Sequence, residues 1–195
     1  MKRVLLMLCV LVVGSAIEGR ADGHDVRGGI TERPVKMRFS GTNVAIPINL
    51  QPGTVTDETH LAGNGNLGAF TFRELHADVA SPQPPAGCFS TRHFAVVAGT
   101  GVFRFQDGSL LVVTVRDGSG CINLAAGNSA LTVNYEISGG TGRFTGASGN
   151  LTMTATTAPV LRNASNAPAL LTNTGEFKGT IVKAAPDEER LDEQQ

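Results

Sequence analysis

Alternation of apolar and polar residues recurs along most of the chain and is typical of β-strands. Val35, Met37 and Phe39 alternate with polar residues, and the same period of two runs from Gly68 to Asp78. Further strand-like segments lie at residues 44–50, 93–105, 110–115, 131–137, 151–156 and 175–182. The pattern therefore predicts about eight strands and no helix, with residues 51–65 as a long loop.

Turn residues separate these segments at short intervals. Asp107-Gly108 stands between two apolar runs and predicts a tight hairpin. Residues 93–105 are ambiguous, because Gly99-Thr100-Gly101 could turn the chain or bend a single strand. Many strands with short links favour an antiparallel barrel, with a sandwich as the alternative.

Composition and charge narrow the function classes. The chain has 24 Gly, 9 Pro, 19 Thr and 18 Val, which excludes a helical bundle or a coiled coil. The net charge is −1 and no basic stripe is present, so nucleic acid is not an expected partner. Acidic residues crowd residues 184–195, which are interpreted as a solvated tail.

The amino terminus has the pattern of an export signal. Lys2 and Arg3 precede ten apolar residues, Val4–Val13, and small residues follow up to Ala21. Ten apolar residues are too few to cross a bilayer, which takes about 20. We expect residues 1–21 to be a signal peptide, 22–34 a flexible arm and 35–183 the barrel domain. The predicted location is secreted or periplasmic, with no membrane span after signal removal.

Two cysteines remain once Cys9 leaves with the signal. An exported chain with an even pair favours a disulfide between Cys88 and Cys121. Two free thiols or a metal pair are the alternatives, although no His or Cys stands at a ligand spacing from either cysteine. A bridge requires both loops at one end of the sheet, which favours one bent strand over residues 93–105.

The glycine-rich segment Tyr135–Gly149 carries a resemblance to a known family. Its glycine spacing does not fit a dinucleotide-binding loop. It resembles the glycine-rich hairpin of the allene oxide cyclase and dirigent-like barrels, above all their exported bacterial members, and the likeness extends over residues 67–182. The resemblance implies an eight-stranded, calycin-like barrel whose lumen holds an apolar small molecule. It also implies that homo-oligomers are an option. Characterised relatives cyclise reactive intermediates or steer radical coupling, but none of their active-site residues can be matched here.

One strand face combines aromatic and ionisable residues. Phe70 and Phe72 share it with Glu74, His76 and Asp78. If this face lines the lumen, Glu74 and His76 form an acid/base or ligand-orienting pair; the alternative places them in solvent at the rim. The other ligand-binding candidates are Phe103, Phe105 and Tyr135, although Tyr135 also fits a core position. No metal site and no cofactor are expected.

Three functions are compatible with the sequence. The first is an exported barrel that binds a small apolar ligand or serves as a scaffold. The second is a cyclase or isomerase acting on an unsaturated lipid or polyketide-like substrate, and the third is a secreted interaction module. Nothing in the sequence requires catalysis. An open lumen with convergent polar groups would favour binding, whereas a lumen filled by the four phenylalanines would favour the scaffold.

Overall fold

The strands close into a single barrel. The computed structural model describes residues 31–123 and 125–183. In chain order the strands are β1 Thr31–Ile46, β2 Val55–Gly65, β3 Phe70–Ala80, β4 His93–Phe105, β5 Leu110–Asn123, β6 Asn128–Gly140, β7 Ser148–Arg162 and β8 Pro168–Lys183. Each strand pairs antiparallel with its sequence neighbours, and β1 pairs with β8. The predicted all-β, eight-stranded antiparallel barrel is confirmed, and the sandwich alternative is wrong.

The alternation along each strand separates the barrel interior from solvent. Val35, Met37 and Phe39 of β1 are buried, whereas the residues between them are exposed. In β6 the same period buries Leu131, Val133, Tyr135 and Ile137. Closure of the sheet leaves no free edge strand, since every strand has two hydrogen-bonded neighbours.

The first strand is longer than the pattern predicts. A separate strand at residues 44–50 is wrong, because β1 continues without a turn to Ile46 and ends before Pro47. The buried inward residue of this stretch is Asn43, so the apolar alternation stops at Phe39 although the strand does not. The strand also begins at Thr31, so residues 31–34 of the predicted arm belong to the barrel.

The predicted loop at residues 51–65 is largely a strand. β2 begins at Val55, and only residues 47–54 connect it to β1. Leu61 is a buried apolar residue of this strand, but Asp57, Thr59 and Gly63 pair with inward residues of β3 and are not large hydrophobics. A strand with so few apolar inward residues gives no hydrophobic alternation to detect.

Residues 93–105 form one bent strand, as the disulfide argument predicted. The β3–β4 register shifts at Val97, where β4 carries one extra residue. Cys88 and Cys121 are joined by a disulfide, with their Cα atoms 5.6 Å apart. The loop between β3 and β4 is therefore tied to the end of β5.

Both predicted glycine turns connect strands. Gly108 has a φ of 82° in the β4–β5 hairpin, and its amide donates to the Phe105 carbonyl at 3.0 Å. The glycine-rich segment ends β6, forms a single 3-10 turn at Gly142–Phe144 and leads into β7. It is a connection between two neighbouring strands of the barrel.

Three predicted regions lie outside the described residues. These are the signal peptide at 1–21, residues 22–30 of the arm, and the acidic tail at 184–195. Within residues 31–123 and 125–183, no helix has the length and apolar character needed to cross a membrane.

Candidate functional site

A cavity of about 650 Å³ opens at one end of the barrel. We call this the pocket end; here β1, β3, β5 and β7 finish and their partners begin. Its apolar walls include Val55, Val79, Phe94, Ile122, Leu131 and Leu171. A second cavity of about 680 Å³ adjoins it and shares six lining residues, including Arg92 and Leu171. The pocket end therefore offers a broad, partly apolar recess.

The opposite end, which we call the closed end, is filled by aromatic rings. Neighbouring ring centroids lie between 4.4 and 6.3 Å apart, in tilted, edge-on and stacked contacts. The rings are those of Phe39, Phe70, Phe72, Phe103, Phe105, Phe144 and Phe177. Arg143 covers them, with its guanidinium carbon 4.7 Å from the ring centroids of Phe105 and Phe144. The four predicted phenylalanines thus pack against one another, and none lines either cavity at the pocket end.

Ionisable side chains form the floor of the pocket. His76 and Asp78 come from the end of β3, and Asp57 of β2 pairs with His76 across the two strands. His76 Nε2 lies 3.9 Å from Asp57 Oδ2 and 3.7 Å from Asp78 Oδ2. All three residues line the cavity.

Glu74 lies on the inner side of His76. Its Oε2 is 3.4 Å from His76 Nδ1, and both side chains are at most 1% exposed. The predicted pair therefore meets inside the barrel, and the alternative that placed it in solvent at the rim is wrong. Neither Glu74 oxygen nor His76 Nδ1 has a hydrogen-bond partner among the residues that the structure describes.

Glycines in β4 make room for the inward side chains of β3. Gly99 stands opposite His76, and Gly101 stands opposite Glu74. A Cβ at Gly101 would lie 2.4 Å from the Phe72 ring, and one at Gly99 would lie 2.8 Å from His76 Cβ. Gly99 therefore allows β4 to approach His76 closely, and Gly101 leaves space for the Phe72 ring.

Burial and neighbouring charges shift the pKa values of His76 and Asp78. Burial disfavours the charged form of His76, but the carboxylates of Glu74, Asp78 and Asp57 outweigh it and raise its pKa to about 9. Burial also raises the pKa of Asp78 to about 7; His76 opposes this shift and Asp57 adds to it. Near neutral pH, His76 is protonated and Asp78 titrates.

Tyr135 belongs to the core. It is fully buried, and its hydroxyl lies 3.8 Å from Met153 Sδ. Burial, with the nearby Glu74, raises its pKa well above the usual value, so the phenol stays neutral. The core interpretation is confirmed, and Tyr135 does not line the pocket.

Sequence reasoning missed part of this floor. Asp57 was placed in a loop, and Asp78 was recognised on the face of β3 but not chosen as a candidate. His93, whose Nδ1 is buried and unpartnered within the described chain, also lines the pocket. One feature of the sequence could have indicated the site. The inward positions of β3 are phenylalanines at its start and ionisable residues toward its end.

Comparison with known protein families and curated proteins assigns no family to this chain. No protein-family model matches the chain, and no curated protein matches it. The closed barrel of eight antiparallel strands is the architecture that the sequence resemblance implied.

Among solved structures, the chain is similar to a pterocarpan synthase dirigent protein. The TM-score is 0.42 and the sequence identity is 10%. The match covers 78% of this chain and 85% of the dirigent protein.

Proposed function

We propose that this is an exported barrel protein that binds a small, largely apolar molecule at its pocket end. The cavity of about 650 Å³ carries this proposal. Small-molecule sites typically measure about 300–1,000 Å³ and combine apolar walls with a few convergent polar groups. Here the walls are apolar, and the polar groups Asp57, His76 and Asp78 converge on the floor.

Apolar side chains at the pocket end support an apolar ligand. Most of the large hydrophobic side chains that are exposed in the described chain lie on the strand ends and loops of this end. They are Ile48, Leu50, Val55, Phe89, Val160 and Leu161. Of these residues Val55 also lines the cavity, so the apolar surface at this end continues into its wall.

The floor favours a ligand that also carries a hydrogen-bond donor. Asp57 and Asp78 present carboxylate oxygens toward the cavity, and carboxylates accept hydrogen bonds from hydroxyl or ammonium groups. Such a group would be desolvated on binding and would need these acceptors. A molecule with an apolar body and one hydroxyl or amine end fits this arrangement best.

Export is supported by two independent features. The amino terminus has the charge and hydropathy pattern of a signal peptide. The disulfide between Cys88 and Cys121 is typical of proteins that fold in an oxidising compartment.

A pair of matched tryptophan substitutions tests ligand binding. Ala45 lines the pocket, whereas Ala62 is exposed on the outer face of β2. The neutral fluorescent probe Nile red is titrated into the native protein, Ala45→Trp and Ala62→Trp. We expect saturable binding that Ala45→Trp weakens at least about tenfold and Ala62→Trp leaves unchanged. Equal binding by all three proteins, or no saturable binding, would contradict the proposal and favour a scaffold role.

A second candidate function is isomerisation or cyclisation of an unsaturated lipid or polyketide-like molecule. One observation favours it: Asp78, with a pKa raised to about 7, faces the cavity partly protonated. Such a carboxyl can donate a proton to a bound double bond or carbonyl and take a proton back from a neighbouring carbon. That sequence consumes no other reactant, as an isomerisation requires.

Small molecules that co-purify with the protein provide the substrates for this test. They are identified by mass spectrometry and then incubated with the native protein and with Asp78→Asn. Catalysis predicts an isomer of unchanged mass that accumulates with the native protein and at least about a hundredfold more slowly with Asp78→Asn. Equal rates with both proteins would exclude the acid role of Asp78.

A further inference from the structure

His76 presents its two ring nitrogens to different partners. Nδ1 faces the Glu74 carboxylate, and Nε2 faces one oxygen each of Asp57 and Asp78. One ligand atom from each of Asp57, His76 and Asp78 lies within 4.8 Å of the others. We propose that these three residues bind a divalent transition-metal ion at the pocket floor, with Glu74 positioning the imidazole.

The distances fit a shared ion better than direct hydrogen bonds. Hydrogen bonds between nitrogen and oxygen measure about 2.7–3.2 Å, whereas Nε2 lies 3.7 and 3.9 Å from the two aspartates. An ion about 2.0–2.2 Å from each ligand atom holds such atoms roughly 3–4 Å apart. Small rotations of the aspartate side chains would complete the coordination.

Glu74 provides an independent observation. Its side chain is fully buried, and neither oxygen has a hydrogen-bond partner in the described part of the chain. A metal-binding histidine usually donates its other N–H to a carboxylate, which fixes the ring and its tautomer. Metal on Nε2 would keep the proton on Nδ1, where it is directed at the Glu74 carboxylate 3.4 Å away.

Charge also favours a cation. Three carboxylates, from Asp57, Glu74 and Asp78, surround the single imidazole of His76. Buried charges are usually paired or bound to a metal, because leaving them unpaired costs free energy. A divalent ion would balance the two aspartates while Glu74 binds the imidazole N–H.

The ligand set indicates the class of metal. Imidazole nitrogen suits zinc and other transition metals, whereas calcium and magnesium prefer oxygen ligands alone. Three protein ligands leave at least one coordination position open in a zinc site. That position would face the cavity, because all three ligands line it.

Zinc titration of the full chain, without a histidine tag and after chelator treatment, tests the site. Isothermal titration calorimetry is expected to show one ion per chain. Asp57→Asn and His76→Gln should weaken zinc binding at least about a hundredfold, and Glu74→Gln about 10–100-fold. His60→Gln is the matched control, because His60 forms an exposed pair with Glu58 on the outer face of β2, with Nε2 and Oε1 2.8 Å apart. It should bind zinc as the native protein does.

Two further measurements on the native protein do not depend on the folding of any variant. Anomalous diffraction from zinc-soaked crystals should place the ion beside His76 Nε2, and nitrogen NMR should show a proton on Nδ1 of the metal-bound ring. No saturable zinc binding, an ion located elsewhere, or binding that only His60→Gln removes would overturn the proposal.

The metal site and the organic-ligand site can fail separately. Zinc binding is measured without Nile red, and Nile red binding is measured in chelator. Leu171→Trp should weaken probe binding and leave zinc binding intact, since Leu171 lines the cavity from β8 and neither is a proposed ligand nor pairs with one. A negative result in one of the two binding measurements therefore does not decide the outcome of the other.

Discussion

Along β3, the inward side chains change from Phe70 and Phe72 at the closed end to Glu74 and His76 toward the pocket end. All four are buried, so the two ends differ in chemistry and not in exposure. The closed end gains stability from ring packing. The pocket end instead buries ionisable groups beside an open cavity, an arrangement that disfavours folding unless those groups pair or bind a ligand.

Substitutions at the two ends should therefore affect different properties of the protein. Truncation at the closed end removes packing and should lower the free energy of unfolding. Substitution at the pocket floor should alter binding and pH response, and it can leave stability unchanged or increase it.

Removing a central ring should have the largest effect. Phe103 is fully buried and contacts the rings of Phe70, Phe72 and Phe177. Phe103→Ala should lower the free energy of unfolding by about 3–5 kcal/mol, measured by denaturant titration. Phe89→Ala is the matched control, because Phe89 is fully exposed, and it should change stability by less than about 0.5 kcal/mol. Equal effects would contradict the packing described for the closed end.

Removing the disulfide should cause the second-largest loss of stability. Cys88 and Cys121 are 33 residues apart in sequence, and the bridge constrains the unfolded chain. The double variant Cys88→Ser with Cys121→Ser should lose about 3–4 kcal/mol in the chain-entropy model. Denaturant titration with and without reductant provides the comparison, and the double variant should not respond to reductant. An unchanged unfolding midpoint in the variant would contradict this role.

Stability of the metal-free protein should fall as pH rises. The pKa of Asp78 is raised from 3.8 to about 7, and that of His76 from 6.5 to about 9, so the folded chain binds more protons than the unfolded chain between about pH 4 and pH 9. The His76 contribution is fully present below pH 6.5 and is lost as pH rises through about 9. At 1.36 kcal/mol per pKa unit it is on the order of 3 kcal/mol.

Denaturant titrations at pH 5 and pH 9, in chelator, measure this slope. Facing His76 are Glu74 and Asp78 of β3 and Asp57 of β2, while Tyr135 stays neutral. His76→Gln should flatten the slope, and His60→Gln should not. Hydrogen bonds hold the pKa values of three other carboxyls, Glu58, Asp107 and Glu176, below their usual range, so these groups stay ionised between pH 5 and pH 9. A free energy of unfolding that increases between pH 5 and pH 9 would contradict the raised pKa values of His76 and Asp78.

Replacing both Glu74 and His76 with apolar residues should not lower the free energy of unfolding, in contrast to truncation of a ring at the closed end. The double variant Glu74→Met with His76→Leu removes the Glu74–His76 pair at once. Asp57 and Asp78 remain beside the cavity, where Asp78, with a pKa raised to about 7 by burial, can bind a proton. Such replacements are often neutral or stabilising by about 1–4 kcal/mol, whereas removing one partner alone leaves a buried charge unpaired. We expect the double variant to be at least as stable as the native protein at pH 7, and Glu74→Met alone to be less stable. A large loss in the double variant would mean that the pair itself stabilises the fold.

Truncating Arg143, which covers the aromatic rings of the closed end, should have the smallest effect on stability. Arg143 lies over Phe105 and Phe144, and its Nε is 3.2 Å from Asp107 Oδ2. Both partners of this ion pair are more than 40% exposed, so Arg143→Ala should lower stability by only about 1 kcal/mol. Arg104→Ala, at an exposed position of β4, is the control and should be neutral. Thermal unfolding of the two variants side by side checks this order.

Hydrophobic alternation was sufficient to predict the barrel where inward residues are apolar. It located Val35 to Phe39, Phe70 to Asp78 and the alternating part of β6, and the cysteine argument identified β4 as one strand. It failed at β2, because Asp57, Thr59 and Gly63 occupy inward positions without being large hydrophobics. The pattern therefore predicts a loop at β2, the strand that supplies Asp57 to the pocket floor.

The candidate site was only half predictable for the same reason. Glu74 and His76 were found because they share a face with two phenylalanines on one strand. Asp57 reaches His76 through the pairing of β2 with β3, and a single sequence does not specify strand register. The cavity depends on where the aromatic rings stop filling the lumen, which is a property of packing in three dimensions.

The most direct test of the contrast between the two ends is a backbone-amide NMR titration with Nile red. Binding at the pocket end predicts shift changes that cluster at residues 43–57, 76–81, 91–94, 122–131, 157 and 168–171. Amides around Phe105, Arg143 and Phe144 at the closed end should not move. Saturable binding with shifts centred on the closed end, or no specific shifts at any probe concentration, would contradict the account.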